Sequence, residues 1–209
     1  MLQIDIQQKN YGTKTILESV SISVEKAGLY GIVGKNGSGK TTFFKCLSHL
    51  TDFQGKINYN KKTISAENIA FLPTEPFLYE HLTVNEFLKF YARLLHIENP
   101  KNPVFNIDSE LFIKELSTGM RKKTYLNAVF QKMYDIYVFD EPFNGLDIES
   151  VYELGKIILQ LSENHIVFVS SHLLESLQNC RCIFVLKNGN LQKILPDKYH
   201  IIESILFGS

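Results

Sequence analysis

The 209-residue sequence has no tryptophan, six prolines, three cysteines and no net charge at neutral pH. Without net charge, the whole surface has no field that would favour nucleic acid or an anionic membrane. Cys46, Cys180 and Cys182 are too few for a disulfide framework and suit a reducing compartment. A zinc site at Cys180 and Cys182 would need further ligands, so we interpret these cysteines as small buried hydrophobic residues.

The sequence also lacks a run of about 18 apolar residues, a secretory leader and an internal repeat. No stretch rich in proline, glycine and serine divides it. With 44% hydrophobic residues, a packed globule is predicted. We therefore expect one domain over residues 1–209, located in the cytoplasm.

Two kinds of strand are predicted from the hydrophobic pattern. Alternating apolar and polar residues over 2–8 and 20–25 indicate half-buried strands in an antiparallel region. Unbroken apolar runs indicate strands that are covered on both faces of a mostly parallel sheet. These runs are 29–33, 69–72, 136–139, 166–169 and 183–186. Asn188 and Gly189 accept positive φ and predict a closing hairpin.

Segments with helical spacing of apolar residues lie between the strands. They cover 40–50, 84–95, 120–133, 148–161 and 173–179. The prolines and asparagines of 100–107 indicate a loop. The alternation predicts an α/β fold with a mostly parallel core sheet, an antiparallel β subdomain and a short helical subdomain at about residues 76–133.

A glycine-rich stretch follows the first buried strand. Residues 34–41, G-K-N-G-S-G-K-T, fit the phosphate-loop pattern G-x-x-x-x-G-K-[ST] between a strand and a helix. Such a loop surrounds phosphate with backbone N–H groups, while Lys40 contacts the β- and γ-phosphates and Thr41 holds Mg²⁺. We predict ATP contacts from Gly34, Asn36, Gly37, Ser38, Gly39, Lys40, Thr41 and Thr42.

Two adjacent carboxylates end the buried run at 136–139. Because a carboxylate at the tip of a neighbouring parallel strand can face the phosphate loop, Asp140 is predicted to hold Mg²⁺ and Glu141 to polarise the attacking water. A solvated strand end is the alternative interpretation of two adjacent acids. The phosphate loop earlier in the chain favours the functional one.

Further motifs in this order resemble those of ABC-type ATPases. Leu116-Ser-Thr-Gly-Met120 is similar to the family's L-S-G-G-Q signature, and the segment ending at Asp147, Asn-Gly-Leu-Asp, is similar to its D-loop. His172 resembles the switch histidine, and Tyr11 resembles the aromatic residue that stacks on adenine. The resemblance covers residues 2–191, and it identifies the chain as a member of this family.

The resemblance implies an ATP-hydrolysing subunit that uses Mg²⁺ and drives transport through a separate transmembrane permease. Ser117 and Gly119 would contact the γ-phosphate on another ATP-binding subunit, in a homodimer or heterodimer, and Asp147 would lie at the shared site. His172 and Lys40 would assist Glu141 in catalysis. The groove near residues 74–82 would touch the permease at the cytoplasmic face of the membrane, and no nucleic acid is expected.

Each of these motifs also has a plainer interpretation. Ser117 fits an N-cap before an amphipathic helix. His172 fits a structural hydrogen-bonding group, and Tyr11 followed by Gly12 fits a turn with a packed aromatic ring.

The sequence departs from the family at one predicted metal contact. Thr74 occupies the place of a glutamine that touches Mg²⁺, and its shorter hydroxyl would need a bridging water, unless Glu75 substitutes for it. Thr118 and Met120 also replace the first glycine and the glutamine of the signature. The competing functions are a soluble ATPase of the same superfamily and, less favoured by the motifs, a P-loop kinase.

Overall fold

The computed structural model describes residues 1–171 and 177–208, which form two units. The first unit takes Met1–Pro73, Asp135–Pro142 and the described part of Lys156–Ser209. The second takes Thr74–Tyr134 and Phe143–Gly155. Each unit has a hydrophobic cluster of its own, so each is described by itself.

The strands of the first unit form two sheets. An antiparallel sheet has the order β2-β1-β4-β5, made of β1 (Leu2–Tyr11), β2 (Lys14–Val24), β4 (Gln54–Tyr59) and β5 (Lys62–Thr63). A larger sheet has the order β10-β9-β3-β8-β7-β6, made of β3 (Gly28–Val33), β6 (Ile69–Leu72), β7 (Ile136–Phe139), β8 (Ile166–Ser170), β9 (Cys182–Lys187) and β10 (Asn190–Ile194).

The larger sheet is parallel except for its last pair. Strand β8 pairs with β3 on one side and β7 on the other, and both pairings are parallel. Only β10 runs antiparallel to its neighbour β9, through the predicted turn in which Asn188 and Gly189 have φ of 51° and 78°. The carboxyl ends of β3, β8 and β7 therefore lie together at one edge of the sheet.

Helices α1 (Lys40–Leu47) and α5 (Ile202–Phe207) belong to the first unit, and α2 (Val84–Leu94) and α3 (Thr118–Val129) to the second. Helix α4 runs over Ile148–Asn164. In the second unit, α2 and α3 pack around a cluster that includes Phe87, Ile113 and Ala128. Among the helices of residues 1–171 and 177–208, none is long and apolar enough to cross a membrane.

The α/β fold class predicted from the sequence is confirmed, but several element ends differ. Helix α1 ends at Leu47 instead of residue 50, because His49 adopts a left-handed φ of 54° that helical residues do not share. Helix α3 begins earlier than predicted, where Ser117 caps it. Strands β4 and β5 were not predicted, since β4 carries little apolar alternation and is held by its pairing with β1. The predicted helix at 173–179 lies largely outside the described residues.

We predict that alanine has opposite effects at two glycines. Gly55 has φ of 135°, and a Cβ there would collide with the carbonyl oxygen of Asp5 across the β1–β4 pair. Gly55→Ala should therefore lower the free energy of unfolding by about 2 kcal/mol or more. Gly155 lies within α4, and a Cβ there would meet no neighbouring atom within 4 Å, so Gly155→Ala should raise it by about 0.5–1 kcal/mol. Urea unfolding measures both, and equal effects would contradict the assigned backbone strain.

Candidate functional site

The phosphate loop of the first unit connects β3 to α1. Gly37 and Gly39 have positive φ, at 75° and 108°, which a side chain would disfavour. Gly39 is the N-cap of α1 and supplies no side-chain cap, and the first turn of the helix has no acidic residue. The N–H groups of this turn are therefore suited to binding an anion.

The side chain of Lys40 folds back over this loop. It is 6% exposed, and its ammonium donates hydrogen bonds to the backbone oxygens of Gly34, at 2.9 Å, and Lys35, at 3.4 Å. A Cβ on Gly34 would lie 2.5 Å from the hydroxyl oxygen of Ser38 and 2.7 Å from the backbone carbonyl oxygen of Leu186, so this position requires glycine. The Ser38 hydroxyl is itself buried and has no hydrogen-bond partner among the described residues.

Asp140 joins the loop to the core sheet. Its carboxylate is 1% exposed and accepts a hydrogen bond of 2.6 Å from the Thr41 hydroxyl at the start of α1. The other carboxylate oxygen accepts a bond of 2.7 Å from the Ser170 hydroxyl at the end of β8. A hydroxyl and a carboxylate at this spacing are oxygen donors of the kind that Mg²⁺ prefers.

Glu141 follows in a strained backbone conformation. Its φ of 50° is unusual for a residue other than glycine, and such strain concentrates at functional sites. Its backbone N–H donates to the Ser170 hydroxyl at 2.8 Å, which fixes this turn to β8. Its carboxylate lies 3.9 Å from the Lys40 ammonium. The acid therefore points toward the phosphate loop.

Burial has the largest effect on the charge of Lys40, and these acids oppose it. Burial lowers the pKa of Lys40, while the negative charges of Glu141 and Asp140 act in the opposite direction. The two neighbouring carboxylates give the buried Lys40 ammonium an internal counter-charge. A phosphate group entering the loop would compete with Glu141 for the lysine.

Tyr11 lies at the end of β1, in the same unit. Its side chain is 48% exposed, and Lys14 is its partner across the β1–β2 turn. An exposed aromatic ring provides a flat apolar surface for stacking. Thr42 follows Thr41 within α1.

In the second unit, the signature residues begin helix α3. Ser117 is the N-cap, and its hydroxyl accepts a hydrogen bond of 3.3 Å from the backbone N–H of Met120. The plainer N-cap interpretation therefore describes the local structure. Gly119 lies close to the 143–147 segment, since a Cβ there would be 3.0 Å from the carbonyl oxygen of Gly145.

Two lysines of α3 bind that same segment. Lys122 is 6% exposed and donates a hydrogen bond of 2.8 Å to the carbonyl oxygen of Asn144, while Lys123 lies 3.5 Å from the Asp147 carboxylate. Asp147 accepts bonds of 2.8 Å and 2.7 Å from the N–H and hydroxyl of Ser150. These bonds, with Lys123, lower the pKa of Asp147 to about 2.

Some predicted site residues lie in the second unit or outside the described residues. Thr74 and Glu75 begin the second unit, which also holds Ser117, Gly119 and Asp147. His172 lies outside the described residues. The three cysteines are buried and free, and the described residues contain no group of three or more His, Cys, Asp and Glu side chains suited to a metal ion.

Ser170 is the site residue that the sequence analysis missed. Its hydroxyl joins Asp140 and Glu141, and the side chain is fully buried. In the sequence, Ser170 is marked only as a serine that ends a buried apolar run. Its contact with the two acids becomes evident only from the strand order, in which β8 lies between β3 and β7.

Comparisons with known proteins agree with this site. The model of the ABC transporter family matches residues 17–144. The lantibiotic transport ATP-binding protein SrtF of Streptococcus pyogenes is 30% identical over 191 residues, covering 86% of this chain and 83% of SrtF. The ABC transporter ATP-binding protein YthP of Bacillus subtilis is 31% identical over 206 residues, covering 91% and 85%.

A solved structure extends the likeness to the fold. The ATP-binding subunit of an ABC transporter superposes with a TM-score of 0.85 at 25% identity, covering 94% of this chain and 90% of that chain. The chain belongs to the ABC transporter family, as an ATP-binding and ATP-hydrolysing subunit that energises transport.

We predict that Ser170→Ala lowers the free energy of unfolding by about 1–3 kcal/mol, because it removes one of the two hydrogen bonds to the buried Asp140 carboxylate and the hydroxyl that accepts from the Glu141 N–H. Urea unfolding checks this. The matched control is Ser23→Ala on the exposed face of β2, which should change the value by less than about 0.5 kcal/mol. Equal stability of the two variants would show that the Ser170 bonds contribute little.

Proposed function

We propose that residues 34–42, Asp140 and Glu141 form the catalytic half-site at which this subunit hydrolyses ATP. The observation that carries the proposal is the 2.6 Å hydrogen bond between the Thr41 hydroxyl and the Asp140 carboxylate. This bond joins the start of α1 to the carboxylate of Asp140, which directly follows β7. That pairing, together with the loop pattern, supports metal-assisted phosphate binding.

The loop would bind the triphosphate through its backbone N–H groups and through Lys40. Hydrogen bonds to the carbonyl oxygens of Gly34 and Lys35 hold the Lys40 ammonium at this loop, where it would meet a β- or γ-phosphate. Thr41 and Asp140 would hold Mg²⁺, which when bound offsets the charge of the β- and γ-phosphates. Thr74 is a further candidate contact to the metal.

Glu141 would act as the general base. Its strained backbone and the bond from its N–H to Ser170 restrict where its carboxylate can lie, which favours a fixed orientation toward the attacking water. Lys40, whose ammonium lies 3.9 Å from this carboxylate, would bind the phosphate and so release the carboxylate. His172 would orient the same water.

We further propose that the site is completed by a second ATP-binding subunit, in a homodimer or heterodimer. Ser117 and Gly119 start a helix whose first turn has no acidic residue, and this supports a role in binding an anion. Asp147 would lie beside the shared nucleotide. Tyr11 would stack on adenine at the other end of the ATP molecule.

We predict that Glu141→Gln lowers phosphate release by at least about 100-fold while ATP binding is retained, because glutamine keeps the shape of the side chain but cannot accept the proton. With ATP and Mg²⁺, this variant should also elute as a dimer in size-exclusion chromatography. Phosphate release and equilibrium ATP binding are measured in parallel.

The control for this experiment is Glu163→Gln on the exposed face of α4, which should hydrolyse ATP at the parent rate. Parent-like turnover by Glu141→Gln would remove Glu141 from the mechanism. A Glu141→Gln protein that binds ATP and stays monomeric would contradict the proposal that two subunits share the site. It would not contradict the proposed half-site.

A groove in the second unit would receive the membrane permease, at the cytoplasmic face. It has a volume of about 770 Å³ and includes Phe77 and Tyr79, which are 74% and 47% exposed. Their rings pack edge to face at 5.3 Å, and Tyr79 packs on Phe90 at 5.2 Å. Arg121 forms an ion pair of 3.3 Å with Glu80 at the same groove. An exposed aromatic groove with a charged rim is typical of a protein-binding surface.

We predict that Phe77→Asp lowers co-purification with a co-expressed permease by about tenfold or more, because it places a charge in the apolar groove. Leu94→Asp is the matched control, since Leu94 is 58% exposed on α2 and does not line the groove. Affinity purification from membranes measures both, with the melting temperature as a check of folding. Equal recovery of the permease with both variants would place docking elsewhere.

A further inference from the structure

Lys9 on β1 is buried although it has no acidic partner among the described residues. Its side chain is 6% exposed, and none of the ion pairs of the described chain includes it. A buried ammonium is costly unless its protons are all bound. The contacts around Lys9 therefore require an explanation.

This ammonium has two hydrogen bonds and one aromatic contact. Two hydrogen bonds of 2.6 Å go to the hydroxyl of Thr51 and to the backbone oxygen of Asp52. The third contact is the ring of Tyr11, whose centroid lies 4.4 Å from the nitrogen. This distance is within the range of a cation–π interaction, which strengthens when the cation is desolvated.

Thr51 and Asp52 follow the end of α1, whose other end begins with Lys40 and Thr41. Lys9 therefore ties the strand that carries Tyr11 to the helix that carries the phosphate-binding residues. All of these residues belong to the first unit. The exposed Tyr11 ring thus packs against a buried charge that is bonded to the segment following α1.

We propose that Lys9 is a positioning residue for the adenine base, acting through the Tyr11 ring. This rests on the proposed ATP site and on the stacking role of Tyr11. The ammonium covers one face of the ring, which leaves the opposite face for the base. It also draws electron density from the ring, and this reduces the repulsion between two stacked π faces.

A structural role alone would have different consequences. If Lys9 only stabilised β1, its loss would weaken binding of every ligand of the phosphate loop. If it acts through Tyr11, its loss weakens binding of ligands that have a base and leaves binding of bare phosphate chains unchanged. Comparing ATP with inorganic tripolyphosphate, each with Mg²⁺, separates the two.

The experiment measures the Kd of both ligands for the parent, Lys9→Met, Tyr11→Leu and the double variant. Lys9→Met should raise the Kd of ATP by about three- to tenfold, in line with a partly desolvated cation–π contact, and should leave that of tripolyphosphate within about twofold. In the Tyr11→Leu background, Lys9→Met should change the ATP Kd by less than about twofold, because the ring through which it acts is gone.

Further variants guard against loss of folding. Thr51→Val removes one anchor of the ammonium without altering β1, and should raise the ATP Kd in the same direction by a smaller factor. Tyr11→Phe keeps the ring and should retain the full effect of Lys9→Met. Lys56→Met, on the exposed face of β4, is the matched lysine control and should bind both ligands as the parent does.

Each outcome distinguishes the inference from its premises. A parent protein that binds neither ligand would overturn the proposed ATP site, and the inference with it. An unchanged ATP Kd in Tyr11→Leu would overturn the stacking role of Tyr11. Equal weakening of ATP and tripolyphosphate binding by Lys9→Met, full additivity with Tyr11→Leu, or no effect of Lys9→Met on ATP would overturn the role of Lys9 alone.

Discussion

The site depends on the burial of one carboxylate, that of Asp140. An ionised carboxylate only accepts hydrogen bonds, and at 1% exposure it must receive them from the protein. Thr41 and Ser170 donate one each, to different oxygens. These two bonds hold the start of α1, the end of β7 and the end of β8 in one arrangement. The same Ser170 oxygen accepts from the Glu141 N–H and so keeps the strained turn that directs the second acid.

The larger sheet, the phosphate loop and the two acids could be predicted from the sequence because their signals are local. Five unbroken apolar runs give five of its strands, and a glycine pattern gives the loop. Strands β4 and β5 could not be predicted, because the pairing of β4 with β1 and of β5 with β4 stabilises them more than their own composition does. The bonds of Ser170 and of Lys9 join residues about 30 to 43 positions apart, and only the tertiary fold brings such residues together.

The buried ammonium groups of Lys40 and Lys9 are stabilised in different ways. Lys40 has acids beside it and rests on loop carbonyls, so a phosphate can replace the acids as its partner. Lys9 has a hydroxyl, a carbonyl and an aromatic face, none of which an anion would displace. The first arrangement suits a lysine that binds the ligand, and the second suits one that holds a platform. The chemistry of the partners, more than burial itself, separates the two roles.

The helices also differ in whether their first turns contain an acidic residue. Helices α2 and α4 have acidic residues in their first turns, Glu86 and Glu149, so each supplies its own anionic partner. Thr83 and Asp147 also accept hydrogen bonds from N–H groups of those turns. Helices α1 and α3 have no acidic residue in the first turn. Because the partial positive charge of a helix start is best satisfied by an anion, the two helices without acids are those able to receive one from a ligand. These two helices begin at the phosphate loop and at the signature sequence. The distribution of acids at helix starts therefore supports the same two phosphate contacts as the motifs do.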